Sequence, residues 1–195
     1  MSKLAQLAVA DSLIAAVVAG DRAAAERLYA KVAVAAYTLA RRLVGASVAE
    51  DVLQDSMINM FASLQSFRSE APFGSWLRRI VVNQSLMQLR SPWRRARVYW
   101  QDIATSTAAL TAELTTESDP GVALDAERAL RRLTPTARAV LWLHAVEGYS
   151  HAEIAAHFGR SESFSKTQLA RALQRLRADD TIGSKELLCQ IPPKS

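Results

Sequence analysis

Between Thr134 and Arg177 helix boundaries follow one another so closely that only a cluster of short helices fits. Thr134 before Pro135 is a helix start: the threonine hydroxyl can accept from an orphan backbone N–H, and proline at the first helical position gives up an N–H that had no partner. That helix carries Ala139, Val140, Leu143 and Val146 and stops at Gly148. Ser150 and Glu153 then form a capping box, with Tyr149 placed to staple onto Ile154. This helix ends at Phe158-Gly159, and Ser161 caps a longer one reaching about Arg177. A short helix, a glycine turn and a longer basic helix predict a helix-turn-helix, whose second helix enters the major groove of DNA. Its predicted buried stripe is Ile154, Ala155, Phe158, Leu169, Ala172 and Leu176. Ser163, Lys166, Thr167, Gln168 and Arg171 are then left facing outward. The same spacing also fits an ordinary helical hairpin within an all-α bundle.

Upstream the chain is helical again. Asp21 is an N-cap for a helix to about Arg42, closed by Gly45. Ser47 opens the next helix with Glu50 completing a capping box. Leu53, Met57, Met60, Phe61 and Leu64 recur there at helical spacing and predict a core-facing stripe. Asp51, Asp55 and Asn59 fall on another face with Gln54 beside them; by itself that pattern equally describes a solvated surface. Phe67 to Ser75 reads as a loop containing Pro72 and Gly74, followed by a helix from about Ser75 to Leu89 that Pro92 interrupts. From Val98 to Asp119 clear caps are missing, and Asp119-Pro120-Gly121 is a turn before a second domain beginning near Val122. The expected architecture is all-α: an N-terminal domain over residues 1–97, a flexible acidic linker over 98–121, a C-terminal helix-turn-helix domain over 122–180 and a tail over 181–195.

Charge is distributed along these divisions. The chain of 195 residues has 24 Lys and Arg against 19 Asp and Glu, a net charge of +5. Residues 65–97 hold Arg68, Arg78, Arg79, Arg90, Arg94, Arg95 and Arg97 against Glu70 alone. Residues 98–121 hold Asp102, Glu113, Glu117 and Asp119 and no Lys or Arg, and residues 122–177 are basic again. Arginine pairs bidentately with phosphate, so two arginine-rich blocks point toward nucleic acid. In the first block Phe67, Phe73, Trp76, Trp93, Tyr99 and Trp100 are interleaved with the arginines, a combination that can follow a phosphate backbone and receive unstacked bases. Trp76, between Leu77 and Ile80, reads more simply as core.

Other function classes find little support. With 50% hydrophobic and 22% charged residues the chain can bury a core. A lone cysteine, Cys189, cannot pair within the chain, which predicts a reducing, cytoplasmic setting. No signal peptide is evident, and the apolar stretch Ala30 to Ala40 is shorter than the roughly 20 residues needed to cross a bilayer, so no direct membrane insertion is expected. His144, His151 and His157 lack the i, i+4 spacing of a helical metal site, and no glycine-rich phosphate loop exists. Neither a cofactor, a metal nor a catalytic residue is therefore expected, and the chain does not read as an enzyme.

Two stretches carry a family resemblance. Ala49-Glu50-Asp51-Val52-Leu53-Gln54-Asp55 followed by Phe67-Arg68-Ser69-Glu70-Ala71-Pro72-Phe73-Gly74-Ser75-Trp76-Leu77-Arg78-Arg79-Ile80-Val81-Val82-Asn83 resembles the first conserved domain of extracytoplasmic-function RNA polymerase sigma factors of the sigma-70 family. Leu133-Thr134-Pro135 and Glu147-Gly148-Tyr149-Ser150-His151-Ala152-Glu153-Ile154-Ala155, with the basic helix after them, resemble that group's C-terminal domain. The resemblance implies an alternative sigma factor that binds core RNA polymerase and directs initiation at a restricted set of promoters. It implies that Asp51, Gln54, Asp55 and Asn59 dock on the polymerase. Phe67, Arg68, Phe73, Arg78, Arg79, Asn83, Arg90, Arg94 and Arg95 would hold the minus-ten element and a base flipped from it. Ser161, Ser163, Phe164, Lys166, Thr167, Gln168, Arg171 and Arg175 would read the minus-thirty-five element. The implied partners are core polymerase, promoter DNA and an inhibitory anti-sigma factor. Where family members often carry an apolar residue and an arginine, this chain has Ser165 and Gln168, and glutamine favours adenine edges where arginine favours guanine. Two rival readings are a stand-alone helix-turn-helix regulator, which leaves the aromatic–arginine block and the acidic stripe without a role, and a small helical enzyme, which would need a pocket of perturbed acids or a metal.

Overall fold

The computed structural model describes residues 3–90 and 129–178, and every regular element in them is helical. The chain divides into two compact units, Met1–Gln88 and Leu89–Ser195. The expected linker over 98–121, the tail from 181, and Arg94, Arg95 and Arg97 lie outside the described residues.

In the first unit α1 spans Asp11–Val18, α2 Arg22–Val44 and α3 Ala46–Ser63, with a 3-10 turn at Leu64–Ser66, and α4, Phe73–Arg90, belongs to it up to Gln88. The side chain of Asp21 accepts from the Ala24 N–H at 3.0 Å and starts α2 as expected. Leu28, Val32, Ala36, Leu39 and Leu43 then line one side of α2 and are buried. Gly45, at φ 90°, ends α2 and is at once the N-cap of α3. This corrects the expected Ser47–Glu50 capping box: α3 begins at Ala46, before Ser47, because the left-handed glycine turns the chain into the next helix with no linker, and the N-cap position is held by Gly45, which has no side chain to accept from the first turn. The tight turn also sets the rotation of α3. Val48, Ala49, Val52, Ser56, Met57 and Met60 face inward, whereas Leu53 and Phe61 are half-buried at the edge of the stripe.

Helix α4 starts at Phe73, two residues earlier than its spacing predicts, because the Pro72 carbonyl accepts from the N–H groups of Ser75 and Trp76 at 2.9 and 3.1 Å. Leu77, Val81, Val82 and Leu86 form its buried face. Leu77 is completely buried, so Leu77→Ala is expected to cost the first unit about 2–5 kcal/mol through lost burial and the cavity left behind. Chemical denaturation followed by circular dichroism checks this. Helix α1 has no side-chain cap and a single buried residue, Ile14.

In the second unit α5 spans Pro135–Ala145, α6 His151–Phe158 and α7 Glu162–Ala178. The local chemistry is as expected. Thr134 Oγ1 accepts from the Ala137 N–H at 3.3 Å. The Ser150 N–H donates to Glu153 Oε2 at 2.8 Å, and the Glu153 N–H donates to Ser150 Oγ at 3.2 Å. Gly159 takes the left-handed conformation at φ 61° between α6 and α7. Both α5 and α6 pack on α7. Ile154, Ala155, Phe158, Ala172 and Leu176 are buried as the stripe predicts, but Leu169 is only half-buried, and Ser165 is the fully buried side chain of the first part of α7.

Candidate nucleic-acid and polymerase interface

On α3, Asp51, Gln54, Asp55 and Asn59 are all exposed. At 100° per residue they span an arc of about 140°. Ile58 lies inside that arc and is 61% exposed, an apolar residue in the middle of a polar, acidic face. Its helical offset from Asp51 and Gln54 is the sequence signal that marks it. Asn59 Nδ2 donates back to the Asp55 carbonyl at 2.9 Å, so its amide is partly committed to the helix.

The loop from Phe67 to Pro72 leads from the 3-10 turn into α4. Phe67, Phe73 and Trp76 form a triangle, with ring centroids 5.5 Å apart for Phe67–Phe73, 5.1 Å for Phe67–Trp76 and 5.4 Å for Phe73–Trp76. Phe73 is the buried corner, while Phe67 and Trp76 are half-buried, so Trp76 is not the fully enclosed core residue its neighbours suggested. Between the aromatic corners Ser69 sits at φ 54°, a left-handed conformation that costs a non-glycine residue about 1–2 kcal/mol.

Below the triangle, Arg79, Asn83, Met87 and Arg90 are exposed on α4 within roughly 60° of Trp76. Met87, 47% exposed and one turn beyond Asn83, belongs to this face although no charge or motif marks it. Arg78 does not. It is half-buried with its Nε shielded from solvent, and it points about 140° away from Asn83. Adjacent arginines in a helix cannot share one face.

On α7, Ser163, Lys166, Thr167, Arg171 and Arg175 are exposed, and Ser161 Oγ lies 2.8 Å from Ser163 Oγ ahead of the helix. Lys166 Nζ pairs with Glu162 Oε2 at 3.2 Å. Gln168 and Phe164 are half-buried on the flank that also carries Arg171 and Arg175, and the Phe164 ring lies 5.6 Å from that of Phe158. Phe164 therefore helps join α6 to α7.

The buried Ser165 has a partner on α6. His151 Nδ1 lies 2.9 Å from Ser165 Oγ, and the His151 ring stacks on His144 of α5 with centroids 4.3 Å apart. His144 Nδ1 in turn donates to the Tyr149 carbonyl at 2.9 Å. The two imidazoles and the serine thus tie the three helices together. Burial pushes the His151 imidazole below its ordinary value of 6.5, reinforced by His144 and Lys166 and opposed by Glu162. His157, beside Tyr149, is also lowered, chiefly by burial. Both histidines are thus held neutral in the fold. Their contribution is complete above about pH 6.5 and is lost as the pH falls from there through the lowered folded values, because the unfolded chain takes up protons first. The midpoint of thermal unfolding of the second unit is expected to drop between pH 7.5 and 5.5. His151→Gln, which keeps a hydrogen-bonding group without a titrating one, is expected to reduce that drop.

Among the described residues no group of three or more His, Cys, Asp or Glu could hold a metal ion, and no helix is long and apolar enough to cross a membrane.

Comparison with known proteins places the chain in a family. Residues 28–95 match sigma-70 region 2, and residues 123–176 match sigma-70 region 4. The ECF RNA polymerase sigma factor SigM of Mycobacterium tuberculosis is 37% identical over 165 residues, covering 84% of this chain and 81% of that protein. The RNA polymerase sigma factor CarQ of Myxococcus xanthus is 31% identical over 149 residues, covering 76% of this chain and 83% of that protein. A solved structure of the sigma factor RpoE of Bartonella quintana, in complex with the anti-sigma factor NepR, aligns with a TM-score of 0.49 at 24% identity over 84% of this chain and 96% of that one. With both regions matched in family order, and with a relative 37% identical along most of its length, the chain belongs to the extracytoplasmic-function group of sigma-70-family RNA polymerase sigma factors, which are transcription initiation factors.

Proposed function

We propose that this sigma factor divides promoter recognition between its two helical units while one face of the first unit holds core polymerase. The observation that carries the reading is the α4 face. An aromatic triangle sits at one end, with Arg79, Asn83, Met87 and Arg90 running away from it on one side of the helix. Aromatic faces accept unstacked bases and arginines follow phosphates. A base leaving the duplex costs a few kcal/mol, and a pocket that receives it couples recognition of the minus-ten element to strand opening. Phe67, Arg68, Arg79 and Asn83 would make those contacts, Phe73 would support them from below, and Arg90, Arg94 and Arg95 would continue along the backbone.

The exposed α7 residues Ser163, Thr167 and Arg171 would enter the major groove at the minus-thirty-five element, with Ser161 at the entrance, Gln168 beside Arg171, and Lys166 and Arg175, on opposite sides of the helix, directed to the phosphates. Asp51, Gln54, Asp55 and Asn59 would dock on core polymerase. Inhibition by an anti-sigma protein and action in the cytoplasm, with no cofactor, complete the proposal on the family's behaviour. Reconstitution tests it: core polymerase with this chain should give run-off transcripts of defined length from a cognate promoter, and core alone should give none. Repression by the chain alone, with no transcript on adding core, would favour a stand-alone regulator.

A further inference from the structure

Residues 3–7 form two short turns, with Gln6 N–H donating to the Lys3 carbonyl and Leu7 N–H to the Leu4 carbonyl, both at 3.2 Å. Leu4 is completely buried. The carbonyl oxygens of Leu4, Ala5 and Leu7 converge on Gly74 in the first turn of α4. A Cβ at Gly74 would stand 2.9 Å from the Leu7 oxygen and 3.1 Å from the Ala5 oxygen, and would collide with that of Leu4. The Ser75 hydroxyl reaches the Ala5 carbonyl at 3.5 Å. A few residues on, α1 packs against the 3-10 turn at Leu64–Ser66. The N-terminal segment therefore touches the turn before the Phe67–Pro72 loop and the helix start after it.

We infer that residues 3–18 act as a strap that positions this loop, with Gly74 as its seat. The inference rests on the reading of the loop as the minus-ten capture element. A loop whose two ends are fixed has fewer conformations to lose on binding. Fixing the loop before DNA arrives turns contact energy into selectivity rather than ordering. The strap delivers this through backbone carbonyls and the buried Leu4 side chain. Gly74 is required because any Cβ there meets main-chain atoms, which cannot swing aside as a flexible side chain can, so the strap must lift.

The test uses holoenzyme reconstituted with the full chain, with Gly74→Ala, with a deletion of residues 1–8, and with both changes. Each is titrated against a fluorescent single-stranded minus-ten oligonucleotide and a set of variants carrying one abasic site at each position. The readout is the affinity ratio of intact to abasic oligonucleotide, which does not depend on the fraction of protein that is folded. The natural chain should lose about tenfold at the captured position and little elsewhere. Both single variants should flatten that ratio to about twofold, and the double variant should be no worse than either, since the two changes remove one device. An unchanged ratio in both single variants would overturn the strap and leave the capture loop standing. A change with Gly74→Ala alone would likewise overturn it, because Gly74 would then act without the N-terminal segment. A natural chain with no preferred position would overturn both the strap and the capture reading beneath it.

Discussion

Asp55→Lys is expected to weaken binding to core polymerase about thirtyfold or more while leaving thermal unfolding unchanged. Asp55 is exposed at the centre of the α3 face, with Asp51, Gln54 and Ile58 around it, so its side chain is not part of the fold's own core. An exposed substitution away from caps and packing moves stability by less than about 0.5 kcal/mol. At a docking interface, by contrast, a reversed charge leaves the partner's cation desolvated and opposed, a loss of about 2–5 kcal/mol. Ile58→Ala should weaken docking less, because it removes apolar contact without introducing repulsion. A fluorescence titration of labelled chain with core measures both; equal affinity for natural and Asp55→Lys chains would remove α3 from the interface.

Asn83→Ala is expected to slow opening of a duplex promoter about tenfold and to spare transcription from a template already melted across the minus-ten element. Asn83 is exposed between Arg79 and Met87 on the α4 face, about two turns from Trp76, where an amide can meet the edges of a base out of its stack. Removing such hydrogen bonds leaves the extruded base uncompensated, at a cost of about 1–3 kcal/mol. In a pre-melted template that cost no longer opposes opening. Permanganate footprinting of duplex and bubble templates distinguishes the cases, and equal defects on both would contradict the role.

What could be read from the residues was what the residues decide locally. Thr134-Pro135 and the Ser150–Glu153 box satisfy backbone groups within one turn, so side-chain identity at fixed spacing is enough to place α5 and α6. Helix α1 and the turns at residues 3–7 carry no such signal. Their order comes from Ile14, Leu4 and contacts with residues some seventy positions away, as between Ala5 and Ser75.

The same division runs through the candidate sites. The acidic face of α3 could be assembled from spacing alone, but the inward stripe was rotated, because Gly45 joins α2 to α3 with no linker and fixes the helix from outside its own sequence. Arg78 and Arg79 looked like one basic pair in the chain and occupy different arcs of α4. Ser165 looked like a polar residue in an apolar position. Its reason is His151, fourteen residues earlier, whose ring reaches it across the helix-turn-helix and rests on His144. A hydrogen bond of that kind is invisible until the turn at Gly159 brings α6 and α7 together.

One chain, riding on polymerase, would recognise a promoter in two separate pieces. Selection of bound fragments from random duplex DNA by reconstituted holoenzyme decides this. Two distinct motifs at a fixed separation are expected, with Asn83→Ala eroding the downstream motif and Arg171→Ala the upstream one. Enrichment of a single palindrome by the chain alone, unaltered by adding core polymerase, would contradict it.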